Sequence, residues 1–288
     1  MTVQWRTSSA TEQGTVLYRE AGRAEAPFAE AAATRAILED RNLVNDQRAH
    51  WFTAELTGLA PGTRYEYTVG AGPDGPRSAP AVFETAADGG APFTFLWMSD
   101  VHNKRDSVPL LETAARLHPD AAFLAVSGDL VGMGQYRDDW EALLTNYADF
   151  LRRRPLVPSI GNHDAIDGLG SELYSTLFRL PDNGPEGMPP GKTYALNCGG
   201  LLLLSLDVTA DIAPQSAWVD RTLAASGARW KVAMLHFPPH SHEEDYPEIR
   251  REWGTLFERH GVDAVLSGHV HYYQRTFPLR GGPPGAFV

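Results

Sequence analysis

Five places in the sequence set carboxylate, imidazole or amide side chains directly after an apolar run. FTFLWM is followed by Ser99-Asp100-Val101-His102-Asn103, and FLAVS by Gly128-Asp129. LVPSI is followed by Gly161-Asn162-His163-Asp164, VAML by His236, and AVLS by Gly268-His269-Val270-His271. Asp, Asn and His without thiolate suit Mn, Fe or Zn better than a soft metal, and seven such donors are too many for one tetrahedral ion, so two metal ions fit better than one. Residues i and i+2 leaving a strand point the same way, which predicts that Asp100 pairs with His102 and His269 with His271 on a common point. Gly128, Gly161 and Gly268 are expected to make tight, unusual turns that lift the next side chain into a crevice. Taken singly, a Gly-Asp turn is only a loop and a lone His236 is a core histidine. The weight lies in the ordered set D-x-H, G-D, G-N-H-D, H and G-H-x-H, each closing an apolar run.

The elements that must position these residues follow from the patterning. From Pro92 onward apolar runs alternate with amphipathic segments: VPLLETAARLH, WEALLTNYADFLRR, SAWVDRTLAA and EIRREWGTLFERH read as helices between the strands. That predicts a layered α/β domain over residues 93–288, with ligands at the carboxyl ends of its strands. Residues 182–192, rich in Pro and Gly, read as a surface loop. Residues 1–86 read instead as short alternating strands around Val3 and Trp5, Val16 and Tyr18, and Trp51. In LAPGTRYEYTV, Leu59, Pro61, Thr63, Tyr65, Tyr67 and Val69 lie two apart, so one strand face carries two tyrosines after a proline turn. This Leu-x-Pro-x-Thr-x-Tyr-x-Tyr stretch resembles the fibronectin type III domain, an all-β sandwich in which one buried Tyr satisfies its hydroxyl on nearby backbone. Residues 87–92, ADGGAP, read as a short linker.

Composition narrows the function classes. The chain has 288 residues, 43% hydrophobic, enough for about two domains of ~150 residues with packed cores. Asp and Glu (36) outnumber Lys and Arg (25) for a formal charge of -11, which excludes nonspecific nucleic-acid binding through the phosphate backbone. No apolar run approaches the ~20 residues of a membrane helix, and the opening MTVQWRTSSATEQGT has neither a basic nor an apolar leader region. As written, the expectation is a cytoplasmic protein without a membrane partner, secreted if a leader has been removed. Cys198 is the single cysteine and has no partner for an internal disulfide or a zinc-thiolate site.

The chemistry-bearing set resembles the calcineurin-like metallophosphoesterases, whose domain has two packed sheets flanked by helices, across the whole of residues 93–288. The resemblance implies that Asp100, His102, Asp129 and His271 hold one metal, and that Asp129, Asn162, His236 and His269 hold the other, with Asp129 bridging. It places His163 off the metals and near the leaving group, with Asp164 fixing its tautomer or keeping it protonated. A closer similarity is to the purple acid phosphatases, which also place a fibronectin-like domain first and carry Q-x-x-W, here Gln215 and Trp218, and a segment like HVHYYQRT. Those enzymes bind ferric iron through a Tyr three residues past the bridging Asp, where this chain has Gly132, so a ferric-tyrosinate is not expected. His102 follows the ordinary metallophosphoesterase pattern.

The activity implied is that of a binuclear phosphohydrolase on a small phosphate ester, most simply a phosphomonoesterase using metal-bound hydroxide, with two divalent or mixed-valence ions (Mn, Fe or Zn). Two such ions exceed the charge of Asp100 and Asp129, so a local positive field attracts phosphate in spite of the net charge. His240 and His242, in HFPPHSHEEDY, are candidates to face substrate, and Asn103 and Arg275 to touch phosphate; Tyr272 and Tyr273 read as packing. The rival activity is phosphodiester hydrolysis, on cyclic nucleotides or small diesters. A rival of another class is an inert fibronectin-bearing binding protein, disfavoured because no expected ligand is replaced.

Overall fold

The structure, a computed structural model, describes residues 1–279 apart from 42, 73, 89, 167 and 168. Its first part holds seven strands: β1 Thr2–Ser8, β2 Thr15–Glu20, β3 Ala29–Ala32, β4 Thr34–Glu39, β5 Arg48–Glu55, β6 Arg64–Gly70 and β7 Ala81–Glu84. They form two antiparallel sheets, ordered β1-β5-β4 and β3-β2-β6-β7. Val3, Val16, Ala54, Leu56, Tyr65 and Phe83 from both sheets make the core between them. The two tyrosines of β6 have different roles. Tyr65 is buried and its hydroxyl accepts from the Ala60 N–H at 2.9 Å, closing the expected corner. The Tyr67 hydroxyl donates to the Arg152 carbonyl at 2.8 Å and so ties the sandwich to the second part of the chain. Strands β3 and β4 escape a propensity reading: AEAA has no β-branched residue and TRAILE only two, and each lies at a sheet edge, where the neighbouring strand supplies the register.

The second part has a parallel sheet of β8 Leu96–Met98, β9 Leu124–Ser127 and β10 Leu156–Ser159, ordered β10-β9-β8. A second sheet comprises β11 Tyr194–Cys198, β12 Leu201–Leu206, β13 Trp230–Leu235 and β14 Ala264–Leu266; β12, β13 and β14 run parallel, and β11 returns antiparallel on β12. Phe123, Ala125, Val157, Leu201, Leu203, Val232 and Met234 fill the space between the sheets. Alternate residues of β12, Leu202, Leu204 and Leu206, face the other way onto the helices. Both faces of this strand are therefore covered, which explains its unbroken apolar run.

The helices are α1 Ser107–Leu117, α2 Arg137–Asn146, α3 Ala148–Leu151, α4 Asn162–Ala165, α5 Glu172–Leu177, α6 Ser216–Ala225, α7 Pro247–Ile249 and α8 Thr255–Arg259. Leu111, Trp140, Leu143, Phe150, Tyr174 and Leu177 cover the first sheet, while Trp218, Val219, Leu223, Trp253, Leu256 and Phe257 cover the second. Two patterns that read as single helices are interrupted. WEALLTNYADFLRR breaks at Tyr147 into α2 and α3, and EIRREWGTLFERH contains a wide π-type turn, Arg250–Gly254, that carries the fully buried Trp253 between α7 and α8. Leu38, Ala49 and Trp51 of the sandwich belong to the same apolar cluster as Leu111 and Trp140, so this core crosses from one part of the chain into the other. Buried Arg137, at the start of α2, donates to the carbonyls of Leu38 and Asp46 and pairs with Glu141 at 3.2 Å. Among the described residues no helix is long and apolar enough to cross a membrane.

Candidate metal centre

The parallel strands β8, β9, β10, β13 and β14 end at one rim, and each is followed within three residues by a predicted ligand. Three groups converge there: Asp100 with His102 and His271, His102 with Asp129 and His163, and Asp129 with His236 and His269. The convergence does not come from strand alternation. Asp100, His102, Asp129, His269 and His271 all have positive φ, between 45° and 74°, so they sit in left-handed turns beyond the strand ends. Such conformations cost about 1–3 kcal/mol each in non-glycine residues and persist where surrounding contacts over-determine them. The contacts are visible here: the His269 N–H donates to both Asp100 oxygens at 2.9 Å, and the His163 N–H donates to Asp129 Oδ1 at 2.9 Å.

Two of the three glycines differ from expectation. Gly128 does adopt a left-handed turn (φ 89°). Gly161 is extended, and a Cβ there would lie 2.3 Å from Asp129 Oδ1; at Gly268 it would lie 1.8 Å from Ser99 Oγ and 2.5 Å from Asp100 Oδ2. These two are glycine because a ligand loop passes against them, not because of their own turn.

One side of the centre is closed. His236 Nδ1 lies 2.9 Å from the Ser127 carbonyl and donates to it, leaving Nε2 to face Asn162 Oδ1 at 3.0 Å and Asp129 Oδ2 at 3.2 Å. Asp129 and His236 are 1% and 0% exposed, so lone pairs from three side chains meet in a dry space that calls for a cation. Burial pushes the Asp129 carboxyl up, but the hydrogen bond and charge of His236 and the His163 N–H outweigh it and hold the group below the ordinary carboxylate range. Burial likewise pushes His236 down, and the hydrogen bond and charge of Asp129 reverse this, raising it. The opposite side is more open: His102 Nε2 and His271 Nε2 are 3.1 Å apart, Asp100 Oδ1 is 3.4 Å from His271 Nε2, and the His271 side chain is 50% exposed. Burial lowers His102, against the charge of Asp129. The donors, carboxylate, imidazole and one amide in two groups sharing Asp129, fit a pair of borderline-hard cations.

His163 stands edge-on to His102, with ring centroids 4.6 Å apart. Its Nδ1 is held by the Gly132 carbonyl at 2.8 Å, which fixes the tautomer. Asp164, expected to do so, is engaged elsewhere: its oxygens accept from the N–H groups of Val131 (3.2 Å) and Gly161 (2.9 Å). The reason is local, since α4 opens at Asn162 and turns Asp164 back under its own first turn, fully buried. Burial, then the charge of Asp129, pushes its carboxyl up to about 7 against those two donors. Asp164 is a brace for the Asp129 and Asn162 loops.

The outer residues divide. Asn103 is engaged with α2, its Nδ2 donating to the Asp139 carbonyl at 2.5 Å, while the Asp139 carboxylate accepts from the Met133 N–H at 2.9 Å. His240 is half-buried, and burial and then the charge of Arg250 lower it. His242 is exposed and packs on Tyr272 with centroids 4.5 Å apart, and the Tyr272 hydroxyl lies 2.9 Å from Ser241 Oγ. Arg275 is exposed on the segment after His271, as is Tyr273, which does not pack as expected. Sequence reasoning missed Asp139, Glu244 and Tyr246: nothing in the spacing of HEEDY separates the Glu244 that reaches His269 (3.1 Å) from the neighbouring Glu243.

Residues 93–273 match the family described as calcineurin-like phosphoesterase, and residues 1–85 match the purple acid phosphatase N-terminal domain. The chain belongs to the calcineurin-like phosphoesterases, whose members are metal-dependent phosphoester hydrolases, in the form that carries a purple acid phosphatase N-terminal domain. An uncharacterised protein of Mycobacterium tuberculosis is 28% identical, over 79% of this chain and 51% of its own length. Probable purple acid phosphatase 20 of Arabidopsis thaliana is 26% identical, over 75% of this chain and 53% of its own. A purple acid phosphatase from yellow lupin seeds has the same fold, with a TM-score of 0.82 over 97% of this chain and 57% of its own at 17% identity. The chain spans about half the length of the curated relatives it matches.

Proposed function

We propose that the chain hydrolyses phosphomonoesters at a binuclear metal centre. The observation that carries this reading is the placement of Asp129 between two donor groups, Asp100, His102 and His271 on one side and His236 and His269 on the other, with Asn162 Oδ1 beside His236. Asp100, His102, Asp129 and His271 would hold one ion, and Asp129, Asn162, His236 and His269 the second. Bound there, Mn, Fe or Zn would activate water and neutralise charge on the phosphoryl oxygens. The protein's own groups do the rest. Asp129 is held for both ions by the His163 N–H and by burial, so that little reorganisation accompanies binding. His163, its Nδ1 proton committed to Gly132, would carry a second proton on Nε2 as the imidazolium, and that proton would go to the departing alkoxide. His240 and His242 stand on the loop after His236 and supply the outer contacts to substrate. Position 132 is glycine, so no phenolate joins the donors, and a pair of divalent ions fits the set.

The test is metal content of the purified protein measured together with hydrolysis of p-nitrophenyl phosphate and bis-p-nitrophenyl phosphate, with Asp129→Ala as the control. Two ions per chain and faster monoester turnover are expected. Faster diester turnover would move the reading to a phosphodiesterase, and bound metal without turnover of either would leave a binding protein on this fold.

A further inference from the structure

His269 is held from several directions. Its backbone N–H is taken by Asp100, and its ring stands edge-on to Phe237 (4.7 Å, 75°) and to Tyr246 (6.0 Å, 74°), two rings that stack on each other at 5.0 Å. Its Nε2 lies 3.1 Å from Glu244 Oε2, and the same carboxylate oxygen accepts the Tyr246 hydroxyl. The loop that carries Glu244 is itself anchored: Arg250 donates to the Pro239 carbonyl at 2.8 Å and pairs with Asp245 at 2.6 Å, and Ser241 Oγ accepts from the Glu243 N–H at 3.1 Å.

An ionised carboxylate only accepts, so the proton in the contact between Glu244 and His269 is on Nε2. A neutral imidazole protonated on Nε2 keeps its lone pair on Nδ1. His236, in the same donor group, is set the other way: its Nδ1 donates to the Ser127 carbonyl and Nε2 is the free nitrogen. The two histidines thus each have a dedicated acceptor for the nitrogen that does not ligate, a buried carbonyl for one and a loop carboxylate for the other. A carboxylate on the far nitrogen both fixes the ring orientation and makes the near nitrogen more basic.

We propose that Glu244, steadied by Tyr246, is a positioning residue of the metal centre, which sets His269 to offer Nδ1 to the ion shared with Asp129, Asn162 and His236. The proposal rests on the binuclear reading above. It also gives the loop after His236 a role besides substrate contact: the segment with His240 and His242 reports directly on one metal ligand.

Two measurements on the 288-residue chain test it. Calorimetric titration of the chelator-treated protein with Mn²⁺ or Zn²⁺ should show two ions in the wild type. In Glu244→Ala one of the two should bind about 10–100-fold more weakly, with the other unchanged. Glu244→Gln keeps an acceptor for the Nε2 proton and should recover most of the loss, and Tyr246→Phe should fall between wild type and Glu244→Ala. If Glu244 were instead a direct ligand, Gln would be as poor as Ala, and that result overturns the proposal. The second measurement is the ¹⁵N–¹H correlation of the histidine rings without metal, where the wild type should show His269 protonated on Nε2 and Glu244→Ala a mixture or the Nδ1–H form. Wild-type binding of both ions by Glu244→Ala, or an unchanged His269 tautomer in that variant, overturns the proposal alone. A wild type that takes up no second ion overturns the binuclear reading and this proposal together.

Discussion

His236 and His271 are both expected metal ligands, yet they live in different surroundings. His236 follows β13 in the middle of its sheet, is fully enclosed, and has each ring nitrogen accounted for by Ser127, Asn162 and Asp129. His271 lies past the edge strand β14, half exposed, with Asp100 and His102 as its neighbours. The buried side is assembled by the chain before any ion arrives. The open side leaves solvent and substrate a way in, and relies on the ion itself to hold His271 in place. A centre built this way separates rigidity from access.

The largest effects should come where the two sides meet. Asp129→Ala removes the group common to both and should cut phosphate-ester hydrolysis by about 10³-fold or more while lowering metal content below two per chain. Metal analysis beside the rate is the check, and two tightly held ions in this variant would break the shared-ligand picture. His163→Ala should lower turnover by about 10²–10⁴-fold with metal content intact, because its ring stands edge-on to His102 without belonging to the proposed ligand set. Next comes packing: Gly268→Ala drives a methyl group into Ser99 and the Asp100 carboxylate and should cost about 1–3 kcal/mol in thermal unfolding, with loss of the ion on the open side first.

A direct comparison follows from the two histidines. His236→Ala leaves Asp129 and Asn162 without their partner in a dry site and should destabilise the metal-free fold by about 1–3 kcal/mol. His271→Ala, at an exposed ring, should change it by no more than about 0.5 kcal/mol. Equal losses in the two variants would remove the distinction drawn here. A further effect concerns pH. The Asp164 carboxyl is raised from 3.8 to about 7 in the fold, so in metal-free protein its contribution to stability is complete below about pH 4 and is lost as pH rises through 7. Thermal unfolding at pH 5 and pH 8 should differ less in Asp164→Asn than in the wild type, and an identical difference would place the titration elsewhere.

The cluster of candidate donors was legible because each residue follows an apolar run, and both the run and its end are local signals. Strands β8, β9, β10, β13 and β14 were all marked by such runs, and the corner at Tyr65 by its proline-led alternation. What stayed hidden is what depends on neighbours. The left-handed turns at Asp100, His102, Asp129, His269 and His271 defy the residue preferences that a sequence reading uses, and only the contacts around them select that geometry. The role of Asp164 was misread because its partners, Val131 and Gly161, lie on two different loops that only the fold brings together. Glu244 was invisible for the same reason, being the middle one of three consecutive acidic residues until His269 comes within reach. Edge strands β3 and β4 take their conformation from partners rather than from composition.

Helix α2 joins regions that otherwise have little in common. Arg137 at its start is clasped by Leu38 and Asp46 of the sandwich, Asp139 two residues on secures the Met133 N–H and Asn103, and the Trp140 indole donates to the Gly134 carbonyl at 2.8 Å. The carbonyl of Gly132, which orients His163, hangs from that same short stretch between Asp129 and the helix. The sandwich is therefore a foundation rather than an appendage. Cutting it away would strand a buried guanidinium and loosen the beam from which His163 is suspended, so damage in the first seventy residues would register as an error of aim at the far end of the molecule.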